Sequence, residues 1–230
     1  MLHRQLGEDR GALRTHSRPL TMYLPKQFDH PSHARTIIRE NPFASLISND
    51  DDGFPFVTHL PIKLQPSTTD ENDVSSDLLL GHVAKGNPHA NYLKQRPEVL
   101  LVFMGPHAYM SPSVYPDLVR VPTWSYLAVH VKAQVRMLEG EEAKDAILKQ
   151  LISDHEPSYA QQWRQLPSSY TEPMLNAIVA FEMRVLKIQT KVKLNQHRPE
   201  SHAAMHAAYE AGNPSEKELA LWMRRLGMVA

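Results

Sequence analysis

Residues 123–138, TWSYLAVHVKAQVRML, decide the fold class. Val129, Val131, Ala133 and Val135 alternate with His130, Lys132, Gln134 and Arg136. A period of two puts the apolar set on one face of a β-strand and the polar set on the other. Similar runs lie on both sides. Upstream, EVLLVFMG (98–105) is nearly all apolar and reads as a strand buried on both faces. FASLISN (43–49) and FPFVTHLPIKL (54–64) flank Asp50-Asp51-Asp52-Gly53, a turn, so they read as a hairpin. DLLLGHV (77–83) and the β-branched AIVAFEMRVLKIQTKVKL (177–194) add two more strands.

Helices fill the gaps sparsely. A short one ends near Asn41-Pro42, and another runs from Asn87-Pro88 to just before Pro97. Residues 141–155 carry a stripe of Ala143, Ile147, Leu148, Leu151 and Ile152. A short helix is expected at 171–176 and another from Pro199. A last one follows Asn213-Pro214, with Leu219, Trp222, Met223 and Leu226 at helical spacing. Residues 65–77 and 156–170 read as irregular. Strands adjacent in sequence, with few long helices between them, favour an antiparallel β-barrel with peripheral helices over a doubly wound sheet.

Composition excludes several classes. The 230 residues contain no cysteine, which removes disulfides, thiolate metal sites and a cysteine nucleophile. No apolar run approaches the ~20 residues of a membrane span, and the first twenty residues lack the apolar core of a signal peptide. A cytoplasmic location is expected. With 25 basic and 25 acidic residues the formal charge is +0, which argues against direct DNA binding through a broad basic face. Residues 1–21 read as a flexible polar tail, and Met22 as a candidate native start. His202 and His206 lie four apart on an expected helix, which fits two exposed histidines better than a metal site. No acid–base pair stands out as catalytic.

Two stretches suggest a ligand. GPHAYMSPSVYPDLVRVPTWSYLAVH (105–130) reads as a proline-stiffened loop rich in aromatics that can stack on a planar group. Ordinary packing explains the same residues. In GHVAKGNPH (81–89), Lys85 supplies charge, Gly86 permits close backbone approach, and the helix start at Asn87 offers N–H groups to a phosphate. A β-turn with a solvated lysine is the plainer alternative.

MYLPKQF (22–28), NPFASLIS (41–48), THLPIKL (58–64), GHVAKGNPH (81–89), the loop above and KLNQHRP (193–199) stand in the order found in PaiB-type proteins. The chain resembles that family of FMN-binding negative transcriptional regulators over roughly residues 22–200. The resemblance implies a pyridoxamine-phosphate oxidase-like split barrel, a homodimer and FMN between subunits. It implies a 22–200 domain and a 201–230 helical extension packed on the barrel or the partner. It brings Thr58, His59, Leu60 and Pro61 to the flavin, and His82, Val83, Lys85 and Asn87 to its phosphate. Tyr109, Ser111, Trp124 and Tyr126 would meet ring and ribityl. Lys193, Gln196 and Arg198 would reach in from the partner subunit. Val114 and Val192 stand where the family pattern has aromatics. Regulation is expected to act through a protein partner. The alternatives are a small FMN-dependent reductase or oxidase, or a cofactor-free dimeric scaffold.

Overall fold

The computed structural model describes residues 22–70, 73, 74, 76–117 and 119–230; the expected tail at 1–21 lies outside them. The strands are β1 (Phe43–Asn49), β2 (Pro55–Pro61), β3 (Lys63–Gln65), β4 (Leu78–Ala84), β5 (Glu98–Met110), β6 (Thr123–Leu138) and β7 (Ile178–Lys193). The helices are α1 (Ala34–Glu40), α2 (His89–Gln95), α3 (Glu141–His155), α4 (Ala160–Gln165), α5 (Ser168–Asn176), α6 (His202–Glu210) and α7 (Pro214–Arg225).

The seven strands form one sheet in the order β2-β1-β5-β6-β7-β4-β3, and all six neighbouring pairs are antiparallel. Its two edges, β2 and β3, are consecutive in the chain with only Ile62 between them. The sheet is therefore rolled, bringing β2 against β4. Leu60 and Ile62 cross the seam over Gly81, where an added Cβ would lie 2.9 Å from Ile62 Cδ1 and 3.2 Å from Phe181 Cε2. No ladder joins β2 to β4, so the sheet is rolled but open where the sequence suggested a barrel. Pro61 in the seam has no N–H to offer such a ladder.

The inner face is mostly apolar, with Ser48, Ser125 and Thr190 its buried polar exceptions. Leu46, Leu79, Leu101, Phe103, Leu127, Val129, Val131, Phe181 and Val192 share one core with Ile37 and Ile38 of α1, Leu93 of α2, and Leu219, Trp222 and Met223 of α7. The alternation expected in β6 is present. β5 differs from expectation: Val99, Leu101 and Phe103 are buried, but Leu100 and Val102 are half-buried and Met104 is exposed. It faces a core on one side only. α3 covers the opposite face around Leu80, Ile147 and Ala180. Tyr209 donates to Ser125 (2.8 Å), tying α6 to β6. A capping box, Asn213 with Glu216, starts α7 as its Asn-Pro pair suggested.

Two stretches read as irregular are organised. Residues 156–170 contain α4 and the start of α5. The polar loop before β4 wraps around Arg35 of α1, which is fully buried. Arg35 Nε and Nη2 donate to Asp77 (2.8 and 2.7 Å), Nη1 to the carbonyls of Thr68 and Asp70, and Nη2 also to that of Asp73. All five guanidinium donors are thus used. Burial pushes the Asp77 carboxyl up. Hydrogen bonds from Arg35 and Ser67 outweigh that and hold it below the usual carboxylate range. Sequence periodicity could not show this, because the loop folds on a charge from another element.

The seam makes a test. Gly81→Val forces two methyl groups against Ile62 and Phe181, and overpacking of this kind costs ~1–3 kcal/mol. Urea denaturation is expected to show that loss for Gly81→Val. It should show little for Gly86→Ala, where nothing lies within 4 Å of an added Cβ. Equal midpoints for the two variants would contradict the packed seam.

Candidate functional site

A cavity of about 560 Å³ opens where β6, β7 and the segment 23–28 meet. Its aromatic wall is Tyr23, Phe28, Tyr115, Trp124 and Tyr126; its cations are Arg120, Lys191, Lys193 and Arg198. The register explains the grouping. Tyr126 pairs with Lys193 and Ala128 with Lys191, so alternate residues of both strands share the outer face. Lys193 Nζ donates to Thr123 Oγ1 (2.5 Å) and the Trp124 carbonyl (2.8 Å). Lys191 Nζ donates to the Tyr23 carbonyl (2.9 Å) and sits 5.3 Å from the ring centres of Tyr23 and Tyr126. Burial, then the neighbouring Lys191, lowers the Lys193 pKa. Asn195 turns the chain beyond β7 at φ 65°, and its amide donates to Tyr115 Oη and Ser201 Oγ. Asn is among the few residues that accept that left-handed conformation readily.

Four sequence-derived candidates, Trp124, Tyr126, Lys193 and Arg198, line this cavity. Tyr109 pairs with Trp124 across the strands, and both side chains are exposed on the outer face beside it. These aromatics belong to strands; the loop itself spans only 111–122. Two candidates are tied up in local structure. Ser111 accepts from Ser113 N, and the Gln196 amide is held by Leu194 N, the Val192 carbonyl and His30.

The remaining candidates lie elsewhere. Thr58 faces inward and accepts from Asn87 Nδ2 (3.2 Å). Leu60 and Val83 are core residues. His59 and Pro61 face outward, His59 hydrogen-bonded to Ser45 and stacked 6.3 Å from Phe43. His82 shares the strand face of Leu80, and burial lowers its pKa. Lys85 is exposed, and its N–H donates to the Ala177 carbonyl, beside the first residue of β7. Lys193 is the last residue of that strand. The ladder sets Thr58, beside Asn87, level with Ile188 four strands away, so at ~4.8 Å per strand and ~3.3 Å per residue it lies about 25 Å from Lys193 over the sheet.

Several residues of these two regions escaped the sequence reading. Lys191 repeats Lys193 at the strand period, a signal that was there to be used. His89 was hidden inside the phosphate-like motif. It is fully buried, with Nε2 3.0 Å from Ser48 Oγ and Nδ1 2.8 Å from Thr58 Oγ1. It braces β1, β2 and α2, while Asn87 Oδ1 accepts its N–H at the helix start. Val114 and Val192, which replace expected aromatics, are core residues, so those changes bear on packing rather than on this cavity. His202 is buried against the Asn195 carbonyl, not exposed, and His206 meets Glu210 and Arg224. Among the described residues no group of three or more His, Asp or Glu could hold a metal ion. None of the described helices is long and apolar enough to cross a membrane.

Comparison with known proteins adds the following. Residues 22–187 match the model of a family described as “Putative FMN-binding domain”. The chain is 32% identical over 205 residues to the Bacillus subtilis “Protease synthase and sporulation protein PAI 2”, covering 86% of this chain and 95% of that protein. Among solved structures, a flavocytochrome from Azotobacter vinelandii is 14% identical with a TM-score of 0.55, over 73% of this chain and 69% of its own. A FAD and heme binding protein from Mycobacterium smegmatis is 15% identical with a TM-score of 0.51, over 68% of each chain. These two likenesses concern the fold.

Burial lowers the His89 pKa to about 4, so the folded state keeps this ring neutral. The unfolded chain protonates it near pH 6.5. Its stabilising contribution is whole above about pH 6.5 and is lost as pH falls towards 4, about 3 kcal/mol in total. Urea midpoints measured from about pH 7 down to 4.5 are expected to fall more steeply for the wild type than for His89→Gln. Parallel slopes would contradict a neutral buried His89.

Proposed function

This chain belongs to the FMN-binding domain family matched by residues 22–187, and from that premise we propose that it works as a homodimer holding FMN between its two copies. The observation that carries the reading is the separation of the two candidate loci. Lys85, Asn87 and Thr58 lie at one end of β7, and Trp124, Tyr126, Lys193 and Arg198 at the other. They stand at opposite ends of one strand, which favours a group shared between two copies over one held within a chain. The outer face between them exposes Phe43, Val57, Met104, Tyr109 and Trp124, an apolar surface of the kind that marks an interface. A two-fold axis through that face sets the Lys85 end of one copy against the Lys193 end of the other and makes two equal sites. The rolled sheet is then one half of a paired split barrel.

The residues suit the group. Lys85 is exposed beside Gly86, where the open space leaves the backbone accessible to a phosphate. Trp124 and Tyr109 offer exposed faces to a flat ring. FMN, when bound, supplies reversible electron transfer. The protein binds and orients it, with His89 and Asn87 fixing Thr58 from beneath.

The reading includes a part in negative transcriptional control, inside the cytoplasm and through a protein partner. Arg224 pairs with Glu210, and Arg225 with Glu40 while covering Trp222. Both arginines of the last helix are thus engaged within the protein, which supports an indirect route over direct reading of DNA.

Titration of the purified protein with FMN and with riboflavin tests the cofactor. FMN should bind more tightly than riboflavin, with one FMN per chain and a dimeric mass in light scattering. Lys85→Gln should weaken FMN about tenfold, the loss of one charge-assisted contact, and leave riboflavin unchanged. A monomer that binds FMN and riboflavin equally would overturn the reading.

A further inference from the structure

The cavity beside segment 23–28 holds more positive charge than its carboxylates answer. Lys191 is only 6% exposed, and its ammonium meets a carbonyl and two aromatic rings. Lys193 meets a hydroxyl, a carbonyl and the Tyr126 ring. Among the described residues neither lysine forms an ion pair. Of the nearby carboxylates, Asp117 is engaged by Arg120 (2.8 Å) and Glu200 by Arg120 (3.9 Å) and Arg198 (4.0 Å), while Asp29, which pairs with Lys191 through the backbone, is exposed and makes no ion pair with it. Arg120 Nε is buried and has no hydrogen-bond partner among the described residues. A desolvated ammonium without a countercharge is costly, and two side by side are more so. The lowered Lys193 pKa follows from that crowding, and a bound anion would relieve it.

We propose that this cavity binds a planar aromatic anion, a carboxylate or a phosphate monoester. Its negative group lies between Lys191 and Lys193, and its ring lies against Trp124 and Tyr126. The volume of about 560 Å³ falls within the range of small-molecule sites. Tyr23 and Phe28 close the wall from the N-terminal segment. The site is distinct from the Lys85 locus at the far end of β7. It depends on the flavin reading in one respect: a flavin shared across the dimer places this anion next to the flavin ring, as a second ligand of the same site.

Trp124 is one of three tryptophans and the reporter at hand. Flavin-free protein is titrated with benzoate and phenyl phosphate, with benzamide as the uncharged control. Saturable quenching by at least one anion and not by benzamide is expected, and the tighter anion identifies the preferred headgroup. Lys191→Gln and Lys193→Gln, each checked for folding by thermal melting, should weaken that anion about tenfold. The proposal is overturned if neither anion binds, if benzamide binds as well, or if both folded variants bind like the wild type. Displacement of the anion by FMN one for one also overturns it, because the cavity would then be the flavin's own phosphate site. Anion binding in a protein that takes up no FMN would refute the flavin reading and leave this one standing.

Discussion

β2 and β3 are a single run of chain interrupted at Ile62, yet they are the two edges of a seven-stranded ladder. Neighbouring residues cannot sit at opposite edges of a flat sheet, so the sheet must roll until those edges meet. The inner face then becomes one closed core, and the edges need a place to pass. Gly81 provides it, with no side chain under Leu60 and Ile62. The outer face of β2, β1, β5 and β6 is left uncovered, with its large apolar side chains turned to solvent.

Buried polar groups fix what hydrophobic packing leaves free. Arg35 gathers the loop before β4 by its carbonyls and clamps it to Asp77. Such a pair defines a loop conformation more than it adds stability, because both charges lose their hydration. His89 does comparable work as a neutral ring, linking Ser48 to Thr58 across two strands. The loop before β4 and the Thr58 locus are therefore held by interactions that a shift in protonation would disturb.

Period-two alternation made β6 legible, and the Asn-Pro pairs made the starts of α2 and α7 legible, because those signals are local. Arg35, Asp77 and His89 gave no such signal: Arg35 and Asp77 are 42 residues apart, and the His89 ring meets Thr58 and Ser48, 31 and 41 residues away. The strand EVLLVFMG looked buried on both faces because its outer residues Leu100, Val102 and Met104 are apolar, although they are half-buried or exposed. The candidate site was legible as residue types but not as a place. Trp124, Tyr126, Lys193 and Arg198 converge; Ser111 and Gln196 are spent on turns; Leu60 and Val83 pack the core. Lys191 was missed although it stands two residues before Lys193, on the same strand face.

The central claim is that each site is assembled from two copies, and a mixed-chain experiment tests it most directly. Lys85→Gln chains are co-expressed with Trp124→Ala chains, each defective in FMN binding on its own, and the mixture is titrated with FMN. If the sites are shared across a two-fold axis, random pairing rebuilds one intact site in half of the pairs, restoring about a quarter of all sites. If the mixture binds no more FMN than the two variants measured separately, the site lies within one chain and the account is wrong.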